Sequence, residues 1–194
     1  MTAGADSALL WWIPVGAGSS CSARIVARTS AVWEAAEAAL RGRERRKLVH
    51  AALELTVDGI RHTVEMTPAW GQPPGPRGVV ATGAVGSRAL GGVRLFRYEV
   101  RCWAGGVIPD LAWAVGDPVP LPAASARAVR DVLPQVPRLV WGRRPPHLAD
   151  MWNSNSLVAW ALARAGVDAA SLAPPPGTRA PGWAAGVVVA ARSE

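Results

Sequence analysis

The sequence predicts an α+β domain in which a mostly antiparallel sheet packs against helices. One predicted helix comes early, a group of strands joined by short turns follows it, and further helices lie near the C-terminus. Strands and helices that are grouped along the chain, instead of alternating, are typical of α+β folds. At 194 residues, we expect a single domain over residues 1–194 with enough apolar residues for one core.

The first third contains a predicted strand, a helix and a hairpin. The apolar run from Ala8 to Val15 is closed by Gly and Ser residues, which predicts a buried strand. Ser30 is expected to cap a helix from Ala31 to Leu40, because Ala, Glu and Leu have high helix propensity. Asp58-Gly59 is the strongest hairpin signal in the chain. It lies between two predicted strands, residues 48–57 and 60–66.

Later segments add a strand and two or three helices. Leu95 to Trp103 alternates apolar and charged residues, as a half-buried strand does, and its apolar face includes Cys102. Ala123 to Leu133 predicts a helix that ends at a proline. The segment after Asn155 is apolar nearly all round, which predicts a largely buried helix. A short apolar segment, Trp183 to Ala191, ends the chain.

The charge of the chain does not by itself indicate a nucleic-acid partner. The net charge is +7 and the densest basic run covers residues 41–47. Nucleic-acid binding would favour exposed aromatic residues or a recognition helix beside such a run, and neither is present. We interpret the run as a solvated helix end whose cations complement the helix dipole.

Metal, cofactor and membrane functions lack sequence signals. The two cysteines, Cys21 and Cys102, form no C-x-x-C pair, and the three histidines are widely spaced, so no metal site and no cofactor are expected. No apolar run approaches the roughly 20 residues of a membrane span. The N-terminus lacks the basic region of a signal peptide, and a cytoplasmic location is expected.

The most informative motif is Trp152-Asn153-Ser154-Asn155-Ser156-Leu157-Val158. Short Asn and Ser side chains cap helices, because their oxygens accept bonds from the unpaired N–H groups of the first turn. The positive end of the helix dipole acts on any side chain placed there. A nucleophile at such a cap, facing a histidine on a strand, is a known catalytic arrangement. His50, on the first strand of the hairpin, is the candidate histidine.

His50 with its hairpin, and the motif around Ser154, resemble two motifs of one superfamily, the circularly permuted NlpC-type papain-like hydrolases. This superfamily includes the lecithin:retinol acyltransferase-like proteins. The resemblance covers about residues 46–68 and 150–166, and Ser154 stands where the family has its catalytic cysteine. It implies a papain-like fold, Ser154 as nucleophile, His50 as general base, and a polar residue on the next strand that orients His50.

The hairpin register decides which residue orients His50. A two-residue turn pairs Leu55 with His62 and leaves Glu65 on the His50 face. A three-residue turn brings His62 to that face instead. The first register keeps one face apolar, and a carboxylate holds an imidazolium more strongly than an imidazole does, so Glu65 is favoured over His62.

The exchange of Cys for Ser leaves two functions open. The field of a helix start can hold a thiolate but cannot ionise an alcohol, so Ser154 can act only if His50 removes its proton during attack. Asn153 and Asn155 are candidates for oxyanion stabilisation or support. With that geometry we expect a hydrolase or acyltransferase acting on a small-molecule or peptide amide, thioester or ester. Without it, we expect a catalytically silent module that binds ligands in the same cleft.

Two other sets of residues complete the expected site. Ser20-Cys21-Ser22 is faintly similar to the catalytic segment of unpermuted NlpC-type peptidases. This resemblance makes Cys21 an alternative nucleophile, but we favour the interpretation that Cys21 is an ordinary thiol in a loop. We expect the cleft walls to carry tryptophans, with three candidates: Trp70, Trp141 and Trp152.

Overall fold

A computed structural model describes residues 5–18, 21–72, 75–108 and 110–192, with side chains of the first helix described from residue 27 onward. Within these ranges the helices are Cys21–Leu40 (α1), Ala123–Val132 (α2), Ser154–Arg164 (α3) and Trp183–Ala191 (α4). The strands are Ser7–Pro14 (β1), Lys47–Val57 (β2), Ile60–Pro68 (β3), Val79–Ala84 (β4), Arg97–Ala104 (β5), Val119–Leu121 (β6) and Thr178–Arg179 (β7). The predicted α+β class is confirmed.

Six strands form one antiparallel path in the order β4-β5-β3-β2-β1-β6, and β7 pairs with the start of β2 in parallel. The strand β6 was not predicted, because three residues around a proline give no periodic signal. None of the described helices is both long and apolar enough to cross a bilayer.

The β2–β3 hairpin has the predicted two-residue turn. Asp58 and Gly59 both adopt positive φ angles, 54° and 77°, as a type I′ turn requires. Leu55 consequently pairs with His62. His62 therefore lies on the Leu55 face, opposite His50, and its Nδ1 is 3.0 Å from the Ile60 carbonyl oxygen. The alternative role of His62 beside His50 is wrong, because the turn sets the register.

Alternate residues of β2 divide the molecule into two sides. Val49, Ala51, Leu53 and Leu55 are buried in the main core, where α2 and α3 pack on the sheet and α4 packs on α3. His50 projects to the other face, since side chains alternate along a strand. The catalytic histidine candidate is thus outside the main core.

The first helix is longer than the sequence indicates. It begins at Cys21, so Ser30 lies within it and does not cap it, although the predicted end at Leu40 is right. Serine and β-branched residues before position 30 weaken the local helical signal. Buried acidic side chains help to hold the helix: Glu34 accepts hydrogen bonds from Arg43 at 3.0 Å and from Arg179 at 3.0 Å.

Glycines allow α4 to approach α3 closely. A Cβ at Gly186 would lie 2.2 Å from the Ser156 carbonyl oxygen, and one at Gly182, where φ is +88°, would lie 2.4 Å from Asn153 Oδ1. The Ser156 hydroxyl also donates to the Gly182 carbonyl at 2.7 Å. The packing of α4 therefore supports the first turn of α3.

Candidate functional site

The start of α3 is built by a capping box. Asn153 is the N-cap: its side-chain oxygen accepts a bond from the Ser156 backbone N–H at 3.2 Å, and the Asn153 N–H donates to the Ser156 hydroxyl at 3.1 Å. This reciprocal pattern satisfies donors that a helix start leaves unpaired. Ser154 is consequently the first residue inside the helix, and its side chain is free of the capping role.

Asn155 fastens this helix start to the strand that carries His50. Its Oδ1 accepts a 2.7 Å bond from the Ala51 N–H, and its Nδ2 donates to the carbonyls of Val49 at 3.1 Å and Pro181 at 2.8 Å. The pairing of β3 with β2 begins only at Leu53. The backbone groups on both sides of His50, the Val49 carbonyl and the Ala51 N–H, therefore bond to the Asn155 side-chain amide instead of to a neighbouring strand.

A cavity of about 560 Å³ lies between α1, the start of β2 and the start of α3. Ser154 and His50 both line it. Among the described residues no hydrogen bond joins the Ser154 hydroxyl to the His50 ring, although both groups line the same cavity. Its other lining residues are Val15, Gly16, Thr29, Ser30, Trp33, Leu48, Trp141, Met151, Asn153, Asn155 and Pro181.

The surroundings of His50 favour its neutral form. Burial lowers the pKa of His50, and the negative charge of Asp110 partly opposes that lowering. The loop that carries Asp110 is held against this face of the sheet by Ile108, which packs with Ile13 and Ala52. A lowered pKa leaves the imidazole unprotonated and able to accept a proton at neutral pH.

Asp110 is a site residue that the sequence did not reveal. It has a left-handed backbone, with φ of 62°, which is uncommon for a residue other than glycine. Within the described part of the chain, its carboxylate has no hydrogen-bond partner. The Ile-x-Asp segment lies far from the quoted motifs in sequence, and only the folding of the loop after β5 brings its charge near His50.

Glu65 lies on the predicted face of β3, but its carboxylate is paired with Arg101. Arg101 donates a 3.1 Å bond to Glu65 and also binds Glu99, and the Arg101 side chain is 2 % exposed. Burial raises the pKa of Glu65, with the charge of Arg101 acting against it. Glu65 does not line the cavity, and the charge that acts on His50 comes from Asp110.

The candidate oxyanion donors are backbone groups. The Asn155 amide is fully used by its three bonds, and Asn153 uses its oxygen for the cap and one Nδ2 hydrogen for the Pro181 carbonyl at 2.9 Å. The N–H groups of Ser154 and Asn155 find no acceptor among the described residues. Both belong to the first turn of α3, where the helix dipole favours negative charge.

The remaining candidates are scattered. Cys21 begins α1, but its side chain lies outside the described part of the structure. Among the expected tryptophan walls, Trp141 lines the cavity, whereas Trp152 is fully buried and Trp70 is exposed. Trp33, which lies within the predicted part of α1, also forms a wall, and the Arg179 guanidinium lies 5.4 Å from its ring centroid.

Within the described ranges, no three His, Cys, Asp or Glu side chains lie close enough together to hold a metal ion. Comparison of the chain with protein-family models, with curated proteins and with solved structures found no match.

Proposed function

We propose that this protein is a papain-like acyl hydrolase or acyltransferase of the permuted NlpC type, with Ser154 as nucleophile and His50 as general base. The observation that carries the proposal is the meeting of both side chains in one cavity at a helix start. Residues 104 positions apart, Ala51 and Asn155, are hydrogen-bonded directly beside them. The two motifs of the resemblance are therefore adjacent in space, as a shared active site requires.

The proposed reaction has two steps: an acyl-Ser154 ester forms, and water or another acceptor then removes the acyl group. His50 takes the hydroxyl proton as Ser154 Oγ attacks the acyl carbonyl, and the backbone N–H groups of Ser154 and Asn155 stabilise the oxyanion. Collapse breaks the bond to the leaving group, which receives the proton from the His50 imidazolium. Water or another acceptor then attacks the acyl-Ser154 ester, with His50 again taking and returning the proton.

A second function is a binding module that uses the same cavity without chemistry. It is favoured by one observation: Ser154 and His50 are not hydrogen-bonded to each other, whereas an active pair needs a contact of about 2.6–3.2 Å. Substrate binding often tightens such contacts, and a chemical probe of Ser154 distinguishes the two functions.

A fluorophosphonate probe tests the chemistry, because it reacts with activated serines. We expect labelling at Ser154 that is lost in the Ser154→Ala and His50→Ala variants while their circular dichroism spectra stay unchanged. His147→Ala, which alters an exposed loop histidine, is the matched control and should label normally. A native protein that resists labelling yet binds ligands in the cavity would support the silent module.

A further inference from the structure

The connection between β4 and β5 exposes three large aliphatic side chains within six residues. It forms two short helical turns, Arg88–Leu90 and Arg94–Phe96, and neither turn buries a residue. The exposed fractions are 42 % for Leu90, 54 % for Val93 and 55 % for Leu95. Single exposed apolar residues are common on protein surfaces, but grouped ones indicate a contact with another molecule or a membrane.

Trp70 belongs to the same surface. Arg94 Nε donates a 3.0 Å hydrogen bond to the Ala69 carbonyl, and the Ala69 N–H donates to the Arg97 carbonyl at 2.9 Å. These bonds hold the loop after β3 against the connection between β4 and β5. Trp70, the next residue, is 52 % exposed. We name these four side chains the loop surface: Trp70, Leu90, Val93 and Leu95.

The loop surface is surrounded by positive charge. Between residues 66 and 98 the sequence has four arginines and no Asp or Glu. Arg88 and Arg94 are exposed, and within the described part of the chain neither forms an ion pair. Arg143 adds a third exposed cation at the border, where its Nε donates to the Gly86 carbonyl.

The nearest carboxylates along the chain have other partners. Glu99 follows the acid-free stretch, but it is 7 % exposed and is paired with Arg77 and Arg101. Asp150 lies after Arg143 in sequence, and its side chain accepts a 2.6 Å bond from the Gly182 N–H at the start of α4. The three exposed arginines therefore give the loop surface a positive potential.

A second exposed tryptophan has the opposite charge around it. Trp113 is 59 % exposed and Val107 is 67 % exposed, both in the connection after β5. Residues 104–118 contain two aspartates and no Lys or Arg. Apolar exposure is thus not confined to the loop surface, but its combination with arginines is absent from this second connection. Trp113 consequently provides a matched comparison for Trp70.

The chemistry of the loop surface favours one kind of anionic partner. A second copy of the chain would bring like charges together, which is unfavourable. A single-stranded nucleic acid would need several aromatic rings for base stacking, whereas three of the four apolar side chains are aliphatic. Tryptophan at headgroup level, aliphatic side chains below it and cations beside anionic headgroups are typical of proteins that lie on a bilayer.

We propose that the loop surface binds an anionic lipid bilayer peripherally. Its four apolar side chains enter the interface, and the flanking cations contact anionic headgroups: Arg88, Arg94 and Arg143. The inference goes beyond the proposed function, since it requires no reaction at Ser154 or His50.

Co-sedimentation with sucrose-loaded vesicles measures this binding. One set of vesicles contains phosphatidylcholine alone, and the other contains roughly one quarter phosphatidylglycerol as the anionic lipid. We expect at least about tenfold tighter binding to the anionic vesicles, and weaker binding as the NaCl concentration rises, because salt screens the charges. Ser154→Ala should bind like the native protein, so failure of the acyl chemistry leaves this result intact. Equal binding to both sets, or binding to neither, would overturn the proposal.

Charge substitutions test the arginines. Arg88→Gln/Arg94→Gln/Arg143→Gln removes three cations and should weaken binding to the anionic vesicles at least about tenfold. Arg88→Lys/Arg94→Lys/Arg143→Lys also removes the guanidinium contacts with the backbone but keeps the charges, so it should bind within about threefold of the native protein. The difference between the two variants therefore reports charge instead of a change in loop structure. An equal loss in both would contradict the proposal.

Apolar substitutions test insertion into the interface. Trp70→Ala should weaken binding at least about fivefold, whereas Trp113→Ala should change it less than about twofold. Leu90→Ser/Val93→Ser/Leu95→Ser should weaken it at least about tenfold. These side chains are exposed, so the circular dichroism spectra of all three variants should match that of the native protein. Binding that depends on the arginines but ignores the apolar substitutions would exclude insertion.

Competition distinguishes the bilayer from other anionic partners. A single-stranded oligonucleotide and a polyglutamate peptide would be added at the same concentration of negative charge as the anionic lipid. We expect neither to displace the protein from the vesicles, because neither offers an apolar phase for the aliphatic side chains. Displacement by the oligonucleotide would assign the surface to nucleic acid, displacement by the peptide would assign it to an acidic protein, and either result would overturn the proposal.

Discussion

The Ala51 N–H donates a 2.7 Å hydrogen bond to Asn155 Oδ1, and this contact joins the helix of the candidate nucleophile to the strand of the candidate base. Ala51 follows His50, and Asn155 follows Ser154. The bond therefore restrains the two functional side chains through their immediate neighbours. Asn155, which the sequence indicates as a candidate for oxyanion stabilisation or support, therefore has the supporting role.

Removing this support should destabilise the fold. Asn155→Ala leaves the buried Ala51 N–H and two carbonyls without their partner, so we expect a loss of roughly 2–3 kcal/mol in the free energy of unfolding. Asn155→Asp keeps Oδ1 but loses both Nδ2 donors, and it should also destabilise. Asn153→Ala, which removes the cap alone, should cost about 1 kcal/mol. Urea unfolding measures all three, and an Asn155→Ala loss no larger than that of Asn153→Ala would contradict the bridging role.

A thiol introduced at position 154 should be reactive. In the Ser154→Cys variant the helix start and His50 favour the thiolate, whereas burial raises the pKa of Cys102. In a Cys21→Ser background we expect iodoacetamide to modify position 154 at least about tenfold faster than Cys102. Peptide mass spectrometry over time gives both rates. Equal rates in a folded protein would remove Ser154 from the candidate site.

The low pKa of His50 should appear in the pH dependence of stability. The unfolded chain takes up a proton near pH 6.5, but folded His50, whose pKa is lowered by burial, takes it up only at lower pH. Protonation of His50 therefore favours unfolding. Above about pH 6.5, His50 does not change the free energy of unfolding. Below that pH, the free energy of unfolding falls until the pH reaches the pKa of His50 in the folded protein. His50→Gln should lose this fall between pH 7 and 5 in urea unfolding. Identical pH profiles would mean that His50 is solvated.

Asp110 should raise the pKa of His50. Replacing its carboxylate in Asp110→Asn removes a negative charge that favours the imidazolium, so the pKa of His50 should fall further below its ordinary value. NMR titration of the imidazole Cε1–H measures the shift, with the signal assigned from His50→Gln. Asp117→Asn, an exposed carboxylate change, serves as control. The same measurement on Glu65→Gln should give a smaller shift, since Glu65 is paired with Arg101.

The Glu34 ion pairs should stabilise the end of α1. Glu34 is 3 % exposed, and its removal in Glu34→Gln leaves Arg43 and Arg179 without their shared partner, for which we expect roughly 3 kcal/mol of destabilisation. Because the pKa of Glu34 is lowered to about 2, this contribution is fully present above the unfolded value of about 4.5 and is lost as the pH falls towards 2. Glu44→Gln, an exposed neighbour, should leave stability nearly unchanged at pH 7.

The sequence by itself determined the features that depend on adjacent residues. Asp58-Gly59 set the hairpin register, because both residues tolerate positive φ, and this placed Glu65 on the His50 face and His62 on the other. The Asn and Ser residues near position 154 predicted the start of α3 for an equally local reason, their bonds to first-turn N–H groups.

Only the tertiary structure decided how these pieces meet. The Ala51–Asn155 bond spans 104 residues, and the charge of Asp110 reaches His50 through a loop that carries no motif. The early start of α1, which adds Thr29 to the cavity wall, runs against its local propensity. Such contacts depend on which surfaces pack together across the whole chain, and no pattern among neighbouring residues specifies them.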